Sequence, residues 1–378
     1  MAIFFMCVRR KLRMKCVRIL IPLVPALVLL VLAFPHALAP VIRSDSQDLQ
    51  APDSQEADPH VTLLLVWWSP FGNTHPLPDC ATSYGVPGCA LTIDRSEYAH
   101  ADAVILHHRE LVTKEDALPP STRPEGQKWI WMNFESPSHS PWLDSLNGVF
   151  NLTMSYRLGS DIFLPYGYLR RHHHGNGDVN HFPKKLQGRR HGNNNDQRDN
   201  NDTRALVAWV ISNWSEEQER VQFYMKLRRY LHVDVYGRSA LRLVNDSVLQ
   251  TISGYKFYLA FENSLHTDYI TEKLWRNALQ AGAVPVVLGP PRENYERFLP
   301  PDAFIHVHDF KSPRALASYL NYLDHHPAQY RRYMAWRRDY SVHVASFWAE
   351  HYCTACQAAQ ASRNQRKTIK NLDFWFQN

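Results

Sequence analysis

The chain has 378 residues, 45% hydrophobic and 12% aromatic, which excludes intrinsic disorder and supplies core enough for two ordinary domains. Its formal charge of +6 is accounted for by Arg9, Arg10, Lys11, Arg13, Lys15 and Arg18, so residues 19–378 hold 36 basic and 36 acidic side chains. A nucleic-acid-binding face needs concentrated cations, and a balanced body argues against one.

Residues 1–18 read as a cytosolic basic tail and 19–38 as a transmembrane signal-anchor, because ILIPLVPALVLLVLAFP carries no charge from Ile19 to Pro35. A cleaved secretory signal is the competing reading, but the apolar run is longer than a signal core, and Pro22 and Pro25 are tolerated in a membrane helix. Residues 39–60, rich in Pro, Ser, Asp and Gln, read as a stem holding a lumenal head. In an oxidising lumen Cys80, Cys89, Cys353 and Cys356 read as two disulfides rather than a zinc site, either two local bridges or two that tie the C-terminus back. Asn151, Asn201, Asn213 and Asn245 each open an N-glycosylation sequon.

VTLLLVWW from Val61, AVILHH (103–108) and KWIWMNF (128–134) predict strands buried on both faces, in an N-terminal Rossmann-like domain over 61–169. The His/Asn/Arg-rich stretch 170–204 cannot bury a core and reads as a linker or insertion, its His172, His173 and His174 solvated rather than metal-bound. A second Rossmann-like domain spans 205–350, with strands LVAWVI (206–211), HVDVYG, KFYLAF (256–261), VPVVLG (284–289) and FIHV (304–307). Ser215 with Gln218 predicts a capping box before a helix bearing Val221, Tyr224, Leu227 and Leu231 on one face. Thr271 opens a helix with Leu274, Trp275, Ala278 and Leu279, ended by Gly282, and Ser312 with Pro313 opens another. Residues 351–378 form a C-terminal tail containing CxxC. The predicted class is α/β, two doubly wound domains with a cleft between them.

Ligands of such sheets bind beyond the strand carboxyl ends, which singles out three places. Glu135 follows KWIWMNF, where a carboxylate on a rigid strand end suits general-base work on a hydroxyl; a loop-bracing glutamate is the bland alternative. FENSLHTDYITEKLW (261–275) ends a strand in Glu262 and Asn263 and starts a helix near Thr271, Glu272 and Lys273, which suits a nucleotide diphosphate beside a lysine; a capped helix with a surface ion pair is the alternative. Arg220 offers a bidentate diphosphate contact, or is an ordinary surface arginine. The body has no Gly-rich phosphate loop and no Asp-x-Asp pair to hold a divalent cation.

These segments resemble the animal α1,3-fucosyltransferases, Golgi enzymes that transfer L-fucose from GDP-fucose to N-acetyllactosamine glycans. The likeness runs from about Val61 to Asn378 through ILHHRE (105–110), WIWMNFESPSH (129–139), DIFLPYG (161–167), FENSLHTDYITEKLWRNAL (261–279) and VPVVLGPPRENYERF (284–298). The resemblance implies two facing Rossmann-like domains of GT-B type, metal-independent inverting transfer with no cofactor, and a single-pass type II Golgi membrane protein. It implies Glu135 as general base, Arg220 and Lys273 on the diphosphate, and Asn263, Tyr269 and Glu272 on the rest of the donor. On the acceptor side it implies Phe71, Tyr166, Trp336 and Asn73, the last where relatives often carry Gln, with Arg109 matching members that use type 2 chains. The YGVPGCALTIDRS, ADAV, HHREL and HVDVYGR segments look closest to the leukocyte-type branch that makes sialyl Lewis x. Rival readings are a membrane-anchored glycan-binding protein without catalysis and a transferase using another sugar nucleotide.

Overall fold

The computed structural model describes residues 4–8, 15–19, 60–72, 76–114, 117–120, 122–172, 203–237 and 240–378. The chain divides into two units, Met1–Glu56 and Ala57–Asn378. In the first, β1 (Phe4–Val8) pairs antiparallel with β2 (Lys15–Ile19), Phe4 opposite Ile19, so part of the predicted tail is a backbone hairpin. The predicted anchor, apart from Ile19, lies outside the described residues. Among the described residues no helix is long and apolar enough to cross a membrane.

The second unit holds two parallel sheets. β3 (Thr62–Val66), β4 (Cys89–Thr92), β5 (Ala103–His107), β6 (Lys128–Asn133), β7 (Leu152–Ser155) and β8 (Ile162–Phe163) form the first, in the order β4-β3-β5-β6-β7-β8. β9 (Gly167–Arg171) leaves it, and β10 (Ala205–Val210), β11 (Asp234–Tyr236), β12 (Tyr255–Phe261), β13 (Val284–Leu288) and β14 (Ile305–His306) form the second, in the order β11-β10-β12-β13-β14. Every residue of β5, β6, β12 and β13 is buried, as central strands covered on both faces require. β15 (Tyr340–Val344) returns antiparallel to β9, with Val344 opposite Gly167. Only glycine fits at 167: a Cβ there would lie 2.7 Å from both the His343 carbonyl and the Trp275 ring.

After β15 the chain goes back to the first sheet. Helices Ala349–Ala361 and Leu372–Gln377 bury Tyr352, Ala355, Cys356, Ala359, Leu372 and Phe376 in its core. The disulfides are Cys80–Cys353 and Cys89–Cys356, the long-range alternative of the two left open by spacing.

Two helix starts differ from the sequence reading. The capping box does not form: the Ser215 carbonyl accepts the Gln218 N–H in a tight turn, the helix begins at Glu219, and the Gln218 side chain accepts from Arg220 Nε at 2.8 Å. Thr271 does not cap the next helix, because its hydroxyl is committed to the Glu262 carboxylate, at 2.8 and 3.0 Å from the two oxygens. That helix, Lys273–Gln280, is a π-helix, a wider turn often found at functional sites, and Gly282 with φ 90° follows it. The Ser312 hydroxyl does cap its helix, accepting the Ala315 N–H at 3.2 Å with Pro313 first in line.

Candidate active site

The carboxyl ends of β5 and β6 and the start of the π-helix after β12 meet at one cavity of about 320 Å³, lined by Phe71, His107, Phe134, Glu135, Tyr166, Glu272, Arg276, Phe347 and Trp348. Four residues singled out in the sequence thus share one space: Glu135, Phe71 and Tyr166 from the first half, Glu272 from the second.

Glu135 is presented by a turn that braces itself. Asn133 Oδ1 accepts the Glu135 N–H at 3.1 Å, Asn133 Nδ2 donates to Ser140 Oγ at 2.8 Å, and Ser140 Oγ donates to the Ser136 carbonyl at 2.8 Å. Asn133, Ser136 and Ser140 are all buried, so the turn is fixed and the half-buried carboxylate is delivered to the cavity wall. The loop after β12 closes on it from the other half: the Tyr269 hydroxyl donates to Glu135 Oε2 at 3.4 Å, and Ser138 Oγ and His266 Nε2 are hydrogen-bonded at 2.7 Å. The Tyr166 hydroxyl donates to the Phe134 carbonyl.

At the cavity mouth Phe71 takes φ +59° and is 45% exposed. Its N–H donates to buried Glu110 at 2.8 Å, and the Arg109 guanidinium sits 4.5 Å from its ring centre. Glu110 also hydrogen-bonds His107, whose ring lines the cavity between Phe71 and Trp348. Burial opposes ionisation of Glu110, but the hydrogen bond and charge of His107 outweigh it and lower its pKa.

Behind Glu272 lies a carboxylate–lysine–carboxylate cluster. Lys273 Nζ is 2.9 Å from Glu262 Oε2 and 3.4 Å from Glu272 Oε1, and Glu262 also accepts the Thr271 N–H at 2.8 Å. Burial raises the Glu262 pKa despite Lys273. Burial works against the Lys273 charge, but Glu262 and then Glu272 outweigh it and raise its pKa. For Glu272, Lys273 and a Thr271 hydrogen bond overcome the effect of burial and lower it. Gly289, at the end of β13, is what lets this cluster pack: a Cβ would lie 2.3 Å from the Tyr295 hydroxyl and 3.2 Å from Glu262 Cγ.

Arg220 is not a surface arginine. It is 6% exposed and donates to Gln218 Oε1 and the Asn213 carbonyl, both neutral, at 2.8 Å each. Burial lowers its pKa against the pull of Glu262, Tyr269 and Glu272. Asn263 is half-buried and accepts from Ser264 Oγ at 3.2 Å. Trp336 lies outside the cavity lining, 5% exposed in the core beside the second sheet, with its indole N–H unpartnered among the described residues. Asn73, Asn201, His173 and His174 lie outside the described residues. Of the other sequons, Asn213 and Asn245 are exposed, whereas Asn151 uses its amide to bind Trp129 N at 2.7 Å, Arg123 at 2.9 Å and the Lys367 carbonyl at 2.8 Å.

Sequence reasoning missed His107, Phe134, Arg276, Phe347 and Trp348. His107 stands in the HHRE segment, so its signal was present; Phe347 and Trp348 come from the return after β15 and carry no motif. Among the described residues no group of three His, Cys, Asp or Glu side chains is placed to hold a metal ion.

Residues 59–167 match the family "Fucosyltransferase, N-terminal", and residues 200–375 match "Glycosyltransferase family 10 (fucosyltransferase) C-term". The chain is 46% identical over 365 residues to Alpha-(1,3)-fucosyltransferase 4 of Bos taurus, covering 86% of this chain and 88% of that one. It is 50% identical over 329 residues to 4-galactosyl-N-acetylglucosaminide 3-alpha-L-fucosyltransferase FUT5 of Homo sapiens, covering 86% and 82%. Its fold is shared by a crystal structure of an alpha1,3-fucosyltransferase with GDP-fucose, at a TM-score of 0.51 and 17% identity, covering 86% of this chain and 95% of that one. The chain belongs to glycosyltransferase family 10, the fucosyltransferases, and is a glycosyltransferase.

Proposed function

We propose that this protein transfers L-fucose from GDP-fucose to the 3-hydroxyl of GlcNAc in sialylated or neutral N-acetyllactosamine glycans, with inversion and without a metal, forming sialyl Lewis x or Lewis x. The observation that carries the reading is the shared cavity, which sets Glu135 and Glu272 on one space at the strand ends of two parallel sheets. Relatives named for 3-alpha-fucosyl transfer support the linkage.

Glu135 accepts the proton of the attacking hydroxyl as the bond to fucose C1 forms and the bond to the GDP oxygen breaks. Positive charge grows on the sugar ring in this step, and the carboxylate beside it lowers that cost. The braced turn from Asn133 to Ser140 holds the base still, so little reorganisation accompanies proton transfer. Arg220 carries most of the diphosphate charge, because its guanidinium meets only neutral acceptors, whereas the Lys273 ammonium is already shared by two carboxylates. Lys273 adds a second contact at the helix start, Glu272 accepts from the ribose, and Asn263 and Tyr269 complete the donor side. Phe71, Tyr166, Asn73 and Arg109 serve the acceptor, whereas Trp336, expected there by resemblance, is buried in the core outside the cavity lining. The head works in the Golgi lumen behind the membrane anchor at 19–38, with the exposed sequon asparagines Asn213 and Asn245 carrying glycans.

The test is a panel of sugar nucleotides crossed with acceptors bearing or lacking terminal sialic acid, run in EDTA, with linkage and anomeric configuration of the product read by NMR. The reading expects turnover with GDP-fucose and an α1,3 linkage from a β-linked donor. Turnover with another sugar nucleotide alone, or glycan binding without turnover, would replace it.

A further inference from the structure

Residues 19–378 sum to zero, but their charge is not evenly spread. β6 runs from Lys128 to Asn133, about 17 Å at the parallel-strand rise, and its far end opens on a second cleft of about 730 Å³ between residues 123–128 and 363–370. Its walls carry Arg123, Lys128, Arg363, Arg366, Lys367 and Lys370 against one lining carboxylate, Glu125.

The partners of these cations are mostly neutral. Lys128 is 7% exposed, and its ammonium donates to the Gln365 carbonyl. Arg123 donates to Asn151 Oδ1 at 2.9 Å and the Val149 carbonyl at 2.6 Å, and Arg363 donates to the Thr62 hydroxyl at 2.9 Å. Arg366 is 3.5 Å from Glu125, but both side chains are more than nine-tenths exposed, where a pair contributes little. Lys367 pairs with Asp161. Six cations less these two carboxylates leave a formal +4 around one cleft, although residues 19–378 sum to zero. Burial and then the charge of Arg366 hold the Lys128 pKa below that of a free lysine, a repulsion that a bound anion relieves.

The shape and chemistry of the walls select among anions. The lining contains no aromatic residue, and the nearby Trp129 ring is covered by the Arg123 guanidinium at 3.9 Å, so a nucleobase has nothing to stack on. Cations from two chain segments face a wide cleft, which suits several oxyanions spaced along a chain better than one phosphate. The two disulfides belong to an oxidising compartment, where sulfated glycans rather than nucleic acids are the abundant polyanions. We propose that this cleft binds a sulfated oligosaccharide, at a site separate from the cavity that holds Glu135.

The experiment is isothermal titration of the full-length protein, its N-glycans trimmed by an endoglycosidase, with a sulfated heparin hexasaccharide, the same hexasaccharide desulfated, and inorganic sulfate at matched sulfate concentration. The double variant Arg366→Glu/Lys370→Glu changes exposed cleft residues; Arg331→Glu/Arg338→Glu changes exposed residues outside the cleft by the same net charge. The N-terminal basic run is common to all three proteins, so it cancels. The proposal expects sulfated hexasaccharide binding that weakens with salt, at least about a tenfold loss in the cleft variant, little change in the control, and unchanged thermal melts. Equal loss in both variants, no loss in the cleft variant, or inorganic sulfate competing as well as the hexasaccharide would overturn it.

Discussion

The hydroxyl of Tyr269 lies 3.4 Å from the Glu135 carboxylate, joining a loop that follows the second sheet's β12 to the strand end of the first sheet's β6. Tyr269 is 2% exposed, and its ring sits in the first sheet's core, 5.2 Å from that of Tyr156. Burial of the phenol and the surrounding carboxylates raise its pKa well above the ordinary range, so at neutral pH it remains a donor. In the proposed mechanism this contact orients the Glu135 carboxylate without competing for the acceptor proton.

Tyr269→Phe is therefore expected to fold normally and to lower kcat about tenfold, the effect of one hydrogen bond to a charged group. Steady-state kinetics with saturating acceptor reads this. An unchanged kcat would separate Tyr269 from the base.

Lys273 stabilises Glu262, which has no solvent-exposed side-chain surface. Lys273→Met strands that charge and is expected to cost about 3 kcal/mol in urea denaturation. The double variant Glu262→Gln/Lys273→Met removes both charges and is expected to recover most of that stability while donor affinity stays weak. Titration with GDP distinguishes the two effects.

The sequence made the central strands legible because β5, β6, β12 and β13 are short apolar runs between polar turns. β7, LTMS, is fully buried yet half polar, and β4, CALT, is half-buried throughout, so neither has a clear period. Glu135 and Glu272 were legible as polar residues at element ends. The aromatic wall of the same cavity was not, since Phe347 and Trp348 are brought there only by the return of the chain through β15. Lys273 stood out as a cation at a helix start, but nothing local says that Glu262, eleven positions back, already neutralises it.

The two disulfides tie down the middle of helix Ala349–Ala361, which starts directly after the cavity residues Phe347 and Trp348. They span 273 and 267 residues. Removing either pair, as Cys80→Ala/Cys353→Ala or Cys89→Ala/Cys356→Ala, is expected to cost about 2–5 kcal/mol. Because the aromatic wall loosens with the helix, the KM for acceptor should rise more than that for donor.

Acid should destabilise the head through two buried histidines. Burial lowers His108 to about 4 and His351 to about 3 from an ordinary 6.5. The unfolded chain binds protons at these sites first, so stability is full above about pH 6.5 and falls as pH drops toward 4. With both groups in play the slope approaches about 2.7 kcal/mol per pH unit. His351 packs against Phe134, Phe347 and Trp348 at 4.5, 4.3 and 5.1 Å, so its protonation also disturbs the cavity wall. Urea titrations at pH 7 and 5 should show a smaller difference in His351→Phe than in the parent protein.

In the proposed mechanism Glu135 removes the proton from the acceptor hydroxyl. The most direct test of this step is fucosyl transfer by Glu135→Gln, with GDP-fucose affinity and thermal stability measured on the same preparation. The isosteric amide keeps the turn and the Tyr269 contact but cannot take the proton. Donor binding and melting temperature should match the parent while kcat falls by at least about a thousandfold. Parental turnover in that variant would contradict the assignment.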